Sequence, residues 1–337
     1  MKLPASVVTS LRPRYEGTTV AVTGGAGFIG GHLVDALHSL GATVRVLDDL
    51  SGSSAAQIAG LVDVDPERVR FIHGSILDRA ALRDAIEGSD IVFHLAAIVS
   101  VPRSVEDPAR TWEVNATGTL HVLKAAHEAG ASRVALAASS SAYGGGELPA
   151  LESAAARPLS PYAASKVAAE ALAESWARSY GLSTISLRFF NIFGERQPAD
   201  SPYSAAVAIF TDRILSGQQP VVFGDGEQTR DFTHVSNAVC ATLLAGAKPE
   251  RFLGERVNIA TGSSRSLNDL VGLIADTAGV SRVSPVYRPE REGDVRHSRA
   301  DLTRASELLG YEPVCDLETG LRHAIEWHRA QGVRGKV

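Results

Sequence analysis

Tyr162 and Lys166 stand four residues apart in the run Tyr-Ala-Ala-Ser-Lys. On a helix that spacing sets a phenol and an ammonium on one face. A free tyrosine, with a pKa of about 10, is a poor base near neutrality, whereas a cation beside it favours the phenolate and makes it a candidate proton acceptor. Pro161 immediately before it suits the first turn of such a helix. YxxxK arises by chance in many helices, so its weight comes from the residues around it. Upstream, Ser139, Ser140 and Ser141 close an apolar run that precedes this helix.

Gly24, Gly27 and Gly30 lie between an apolar run and a helical pattern. Glycines in that place allow a tight turn and close approach of backbone to a pyrophosphate, while the helix N-terminus offers unpaired N–H groups and a positive dipole end. The spacing is GxxGxxG instead of the commoner GxGxxG. Asp48 ends the second apolar run, 18 residues after Gly30, where a carboxylate can accept both ribose hydroxyls of an adenosine. It would repel a 2′-phosphate, and Asp49, Leu50 and Ser51 bring no arginine, so NAD is expected over NADP.

The elements that position these residues follow from periodicity. Six β-branched runs, at 20–23, 43–47, 69–73, 91–94, 134–137 and 184–187, read as strands buried on both faces. Between them, 28–40, 80–86, 112–129 and 162–180 carry helical spacing. The expectation is an α/β fold, a doubly wound parallel sheet with helices on both sides. After about residue 190, prolines and glycines at 198, 202, 217, 220, 224 and 226 break the chain into shorter pieces. The organisation expected is a cofactor-binding domain over 1–190 and a smaller, interleaved C-terminal α/β lobe for the substrate over 191–337. The stretch 230–247 is expected to return to the main sheet.

Composition narrows the partners. A chain of 337 residues that is 45% hydrophobic can bury a core of roughly two domains. Thirty-three basic against 38 acidic side chains leave a net charge of -5, which argues against nucleic acid or an anionic membrane as partner. Cys240 and Cys315 form no CxxC pair and no His/Cys group with zinc spacing, so no metal is expected and both read as buried thiols in a reducing cytoplasm. The first residues lack the apolar core of a signal peptide. The most apolar internal run, 91–102, is interrupted by His94 and Ser100 and is too short to span a bilayer.

Several motifs in fixed order give a resemblance: TGGAGFIG ending at Gly30, FHLAA at 93–97, SSSAYG at 139–144 and PLSPYAASK at 158–166. LRFFNIFGERQ follows at 187–197, FGDGEQTRDF at 223–232 and REGDVRHSRAD at 291–301. Over nearly its whole length the chain resembles the extended short-chain dehydrogenase/reductases, and within them the NAD-dependent nucleotide-sugar 4-epimerases, which are cytoplasmic homodimers on a Rossmann fold. The resemblance implies that Tyr162 removes the proton of a sugar 4-hydroxyl, that Lys166 lowers the tyrosine's pKa and holds the nicotinamide ribose, and that Ser139 or Ser140 assists. A 4-keto sugar then takes hydride back on its other face, without net oxidation.

It further implies an NAD site of Gly24, Gly27, Phe28, Ile29, Gly30, Asp48, Ser75, Ile76, Leu95, Ala96, Ala97 and Lys166, with Ser75 standing where the family usually has an aspartate. On the substrate side, Asn191, Arg230 and Arg291 are implied on the diphosphate, Val221 and Phe223 beside the uracil and Asp294 at the uridine ribose. Ser100, Ser141 and Ser298, with Val101, Pro102 and Ser104, are implied to line the sugar pocket. Gly144, Gly145 and Gly146, where the family more often has Gly-Asp or Gly-Asn, suggest a more flexible edge to it. The helices near 114–129 and 163–180 are implied to pair in a dimeric bundle.

Ser298 occupies a place where enzymes restricted to plain hexoses carry a bulky tyrosine. The expected reaction is interconversion of UDP-GlcNAc and UDP-GalNAc, with UDP-Glc and UDP-Gal as an open extension. Two alternatives are a plain UDP-glucose 4-epimerase and a nucleotide-sugar 4,6-dehydratase, a lyase. The dehydratase, like UDP-glucuronate decarboxylases, calls for a carboxylate in the serine loop, and Ser140, Ser141 and Ala142 supply none.

Overall fold

The computed structural model describes residues 3–199, 206–281, 283–290 and 295–334. Seven strands form the central sheet: β1 (Thr19–Thr23), β2 (Thr43–Asp48), β3 (Val69–His73), β4 (Ile91–His94), β5 (Arg133–Ser139), β6 (Ser183–Phe189) and β7 (Leu253–Ile259). Their order is β7-β6-β5-β4-β1-β2-β3 and every neighbouring pair is parallel. Parallel strands need crossovers that cover both faces, which is why Val20, Val22, Val44, Val46 and Phe93 are fully buried. Each such side chain contributes roughly 1.5–3 kcal/mol on leaving water. β1 lies between β2 and β4, so the chain order reverses there, and a crevice opens beyond Thr23 and His94 at the carboxyl ends of the two strands.

The six strands legible in the sequence all form, extended at their ends by at most two residues. The seventh differs from expectation. The segment proposed to rejoin the sheet, 230–247, contributes the helix Val235–Ala247, whose Val235, Ala238, Val239 and Leu243 enter the main core. Its short strand Thr229–Arg230 instead pairs antiparallel with Arg265–Ser266 in the second lobe. The strand that joins β6 is β7, in which Glu255, Arg256 and Asn258 conceal the apolar pattern. Asn258 is fully buried there because Tyr143, Glu152, Ala150 and Asp301 satisfy it.

The helix expected over 112–129 is three pieces: Pro108–Trp112, a π turn over Glu113–Thr117, and Gly118–Glu128. Asn115 sits in the π turn, accepting from Ile98 N at 2.8 Å and donating to Ile98 O at 2.9 Å and Ser165 Oγ at 3.0 Å. Such bulges gather at functional sites. The helix Pro161–Tyr180 starts on Ser160, whose side chain accepts from Ala163 N at 3.1 Å, and ends at Gly181 in the left-handed region. An N-terminal helix, Ala5–Tyr15, not expected from the pattern, docks by Tyr15, which donates to Leu243 O at 2.6 Å. The second lobe has its own core, among others Phe193, Phe210, Phe232, Leu270, Ile274 and Leu321. Among the described residues no helix is long and apolar enough to cross a membrane.

Candidate active site at the sheet crevice

The glycine loop is shaped by contacts that exclude side chains. Gly24 has φ +72°, and a Cβ on it would stand 2.5 Å from Ala96 N. A Cβ on Gly30 would meet Gly24 O at 2.1 Å. Gly27, extended, begins the helix Phe28–Ser39 without a side-chain cap, so the first turn with Phe28 and Ile29 is fit to receive an anion on its N–H groups. Asp48, buried at the end of β2, accepts from Ala26 N at 3.0 Å, Leu50 N at 2.9 Å and Ser53 Oγ at 2.8 Å. A carboxylate has about four acceptor positions, so it braces the glycine loop and keeps one for a ribose hydroxyl. Leu95, Ala96 and Ala97 line the β4 side half-buried, with Ser75 and buried Ile76 beyond β3. Ser75 Oγ accepts from Leu77 N at 3.2 Å. These residues fit NAD: a cradle that a Cβ would fill, a helix N-terminus for the pyrophosphate and a carboxylate for the ribose.

Tyr162, Lys166 and Ser139 converge at the end of β5, all buried. Ser139 is near enough to the Tyr162 phenol to favour its ionised form, accepts from Ser141 N at 3.2 Å and lies 2.8 Å from the Ser141 hydroxyl that donates to it. Of the two serines left open by the sequence, Ser139 is therefore the one that meets the phenol. The phenol is held above its ordinary value because burial disfavours the phenolate more than the neighbouring Ser139 favours it. Burial and Ser139 set the phenol's direction; Lys166, expected to lower it, is not among the influences on it. Lys166 donates from Nζ to Ala137 O at 2.8 Å, and burial brings it down to about 8 against the upward pull of Glu170.

Around this pair is a layer that the sequence reading did not assign. His94 Nδ1 lies 2.7 Å from Thr23 Oγ1 and its Nε2 2.9 Å from Thr119 Oγ1. Burial, with Lys166 adding to it, brings its pKa down to about 3, so the ring is neutral. Its place inside FHLAA, at the last residue of β4, was the available signal. Ser104, expected in the sugar pocket, is instead fully buried: its hydroxyl donates to Val101 O at 2.7 Å and accepts from Tyr162 N at 3.0 Å, docking the helix that carries the tyrosine. Ser100 caps the short helix Val101–Glu106, accepting from Arg103 N at 3.2 Å.

On the far side of the crevice, Asn191, with φ +37°, donates to Asp231 O at 3.3 Å, which sets it next to Arg230. Arg230 Nη1 donates to Thr229 O at 2.9 Å. Ser298 N donates to Thr229 O at 3.0 Å, so the half-buried serine is fixed beside the same strand. Asp231, also unassigned from sequence, organises this corner: its carboxylate accepts from Thr261 N at 2.9 Å, Gly262 N at 3.0 Å and Ala300 N at 3.3 Å. A Cβ on Gly145 would stand 3.4 Å from Val295 Cγ1, so the glycine loop after the serines borders the 295–298 segment. Val221 and Phe223, half-buried, belong to a short strand, Val221–Phe223, paired with Val286–Arg288. Arg291 and Asp294 lie outside the described residues.

Both cysteines are buried, and burial brings each thiol up to about 11. Cys315 does, against the sequence expectation, lie in a His/Cys group: its sulfur and the nearest ring nitrogens of His234 and His323 fall within 4.8 Å of one another. The His234 ring is engaged, Nδ1 at 2.8 Å from Ser236 Oγ and Nε2 at 3.1 Å from Glu195 Oε2, as the cap of the helix Val235–Ala247.

Residues 20–260 match the model of the NAD dependent epimerase/dehydratase family. A UDP-glucose 4-epimerase of Mycolicibacterium smegmatis is 38% identical over 313 residues, covering 91% of this chain and 97% of that one. The structure of a UDP-N-acetylglucosamine 4-epimerase from Methanobrevibacter ruminantium, in complex with UDP-N-acetylmuramic acid, superposes with TM-score 0.87 and 36% identity, over 94% of this chain and 99% of the other. A UDP-glucose 4-epimerase from Thermotoga maritima, with UDP-glucose, gives TM-score 0.87 and 37% identity over 93% and 99% of the two chains. With the cradle, the YxxxK helix and the serine turn on one crevice, these matches identify the chain as a member of the NAD-dependent epimerase/dehydratase family.

Proposed function

We propose that this protein is a 4-epimerase of UDP-sugars that interconverts UDP-GlcNAc and UDP-GalNAc, with UDP-Glc and UDP-Gal as a second, less bulky pair. The observation that carries the reading is that buried Tyr162 and Lys166, one helical turn apart, face the end of β5, where Lys166 Nζ donates to Ala137 O at 2.8 Å and Ser139 acts on the phenol, in a turn without a carboxylate. NAD, when bound, supplies a hydride acceptor that can return the hydride. Tyr162 takes the proton of the sugar 4-hydroxyl; Ser139 passes or steadies that proton and hydrogen-bonds the carbonyl oxygen that replaces the hydroxyl. Lys166 and neutral His94 set the charge beneath them.

A dehydratase needs an acid to expel the 6-hydroxyl. The buried carboxylates near the serine turn are engaged elsewhere: Glu152 accepts from Asn258 N at 2.8 Å, and Glu170 is paired with Arg188. The acetylated pair is favoured by Ser298, a small side chain held by its backbone beside Arg230, and by the acetylated sugar nucleotide bound in the Methanobrevibacter relative. Arg230, Asn191 and Arg291 are the groups proposed for the diphosphate, Val221 and Phe223 for the uracil, and Asp294 for its ribose. We also infer a homodimer, since Trp112, Leu120 and Tyr180 on the helices near 108–128 and 161–180 are exposed by 51%, 38% and 55%.

Incubation of purified protein with UDP-GlcNAc, UDP-Glc, UDP-glucuronate and dTDP-glucose, followed by separation of products, tests the reading. The 4-epimers of the first two are expected. A 4-keto-6-deoxy product alone, or stoichiometric release of NADH, would refute it. Ser298→Tyr should cut turnover of the acetylated pair selectively, by tenfold or more, since a side chain filling such a pocket discriminates by about 1–3 kcal/mol. Equal loss on both pairs would refute the specificity part.

A further inference from the structure

Tyr162, Lys166 and Glu170 recur every four residues along one face of the helix Pro161–Tyr180, and all three are buried. Glu170 grips Arg188 of β6 with two bonds, Nε to Oε1 at 2.8 Å and Nη2 to Oε2 at 2.7 Å, the two side chains 2% and 1% exposed. The Arg188 guanidinium lies 4.6 Å over the ring of Tyr143, the last residue of the serine turn Ser140–Tyr143. Tyr143 in turn donates to Asn258 Oδ1 of β7 at 2.6 Å. In the sheet register Arg188 stands opposite Ala138 on one side and Asn258 on the other, directly under the strand end that bears Ser139.

We infer that the buried Glu170–Arg188 pair is a positioning unit of the active site: its carboxylate is the counter-charge one turn from Lys166, and its guanidinium clamps the serine turn through Tyr143. The inference rests on the reading of Tyr162 and Lys166 as the reacting pair. Burial of two charges is costly, and a buried pair is weak evidence for stability by itself; what this pair joins is the catalytic helix, the serine turn and the edge strand. The ionisable groups facing Lys166 are His94 from β4 and Tyr162 and Glu170 from its own helix; Arg188 faces Glu170 and Tyr143, with Glu152 beyond. Among them Glu170 is the one that favours the lysine's charged form. Its removal leaves burial unopposed, so the ammonium would lose its proton at lower pH.

The test is the pH dependence of turnover of UDP-Glc and UDP-GlcNAc between about pH 6 and 10, for the NAD-loaded wild type, Glu170→Gln, and Glu170→Gln combined with Arg188→Met, which leaves no unpaired charge. Folding is followed by near-UV circular dichroism and by retained NAD. The alkaline limb should move down by about one pH unit, with kcat approaching about a tenth of wild type above pH 8 and converging on wild type near pH 6.5. Tyr143→Leu, with the ion pair intact, should lower kcat at least fivefold at every pH without moving the limb. A folded double variant with the wild-type profile overturns the proposal. If the charge variants do not fold, the proposal stands or falls on Tyr143→Leu, and wild-type kcat in that variant overturns it. A Tyr162→Phe control that retains full activity overturns the underlying reading and the inference together; an inactive control beside unshifted pair variants overturns the inference alone.

Discussion

The substitution Gly30→Ala separates two forces of opposite sign. Gly30 is in the first turn of the helix Phe28–Ser39 and its φ is not positive, so the backbone accepts alanine, which intrinsic propensity favours by about 1 kcal/mol. Against this, the new Cβ would stand 2.1 Å from Gly24 O, a backbone atom, where contacts under 3.0 Å essentially never occur. The helix and the glycine loop must therefore part by about 1 Å, and overpacking of that kind costs typically 1–3 kcal/mol. With a backbone partner the upper end applies, for a net loss of about 2 kcal/mol. Because what moves is the turn expected to receive the pyrophosphate, that loss should fall largely on the cofactor, weakening NAD by ten- to a hundredfold at 1.4 kcal/mol per decade.

Gly272→Ala is the control. Gly272 lies in the helix Leu267–Ala278, and a Cβ added there would have nothing within 4 Å, so the same change should stabilise by up to about 1 kcal/mol. Titration calorimetry with NAD and urea unfolding of both variants measure the two numbers. Unchanged NAD affinity in Gly30→Ala, or equal stabilisation in both, would refute the steric account of the cradle.

Asp48→Asn leaves one acceptor oxygen where the carboxylate serves Ala26 N, Leu50 N and Ser53 Oγ, and stranding one partner costs about 1–3 kcal/mol; NAD should bind at least tenfold more weakly by calorimetry. His94 has a folded-state pKa of about 3 against an ordinary 6.5, so the unfolded chain takes up the proton first: stability is complete above about pH 6.5 and is lost as pH falls. Each pH unit in that window costs about 1.4 kcal/mol, so from pH 7 to 4.5 wild type should lose ~3 kcal/mol more than His94→Gln in urea unfolding, and parallel losses would refute it. Light scattering should give twice the chain mass of 35.5 kDa, and Tyr180→Lys, placing a charge in the exposed aromatic stack with Trp176, should shift that dimer toward monomer.

The residues that announce the chemistry are short-range patterns, and those were legible. YxxxK, the glycine triplet, Asp48 and six strands depend on spacing within one element or one turn, which propensity and burial periodicity report directly. Ser139 and Ser140 could not be told apart, because which hydroxyl meets the phenol depends on how β5 ends against another helix. β7 was hidden because Asn258 looks like a surface residue until Tyr143, Glu152 and Ala150 are seen to satisfy it. Ser104 was read as pocket lining, yet the backbone N–H of Tyr162 claims it.

By itself, then, the sequence determined six of the sheet's seven strands, the glycine loop, the cofactor type and the candidates for proton transfer, because each is written in neighbours that touch along the chain. The tertiary structure alone decided the electrical setting of those candidates. Burial holds the Tyr162 phenol up and brings Lys166 down, His94 is kept neutral, and Glu170 is tied to Arg188. The physical reason is that burial comes from β5, β6 and β7 packing on one helix and the charge that ties Glu170 comes from β6, and no spacing within that helix encodes the distance to another strand.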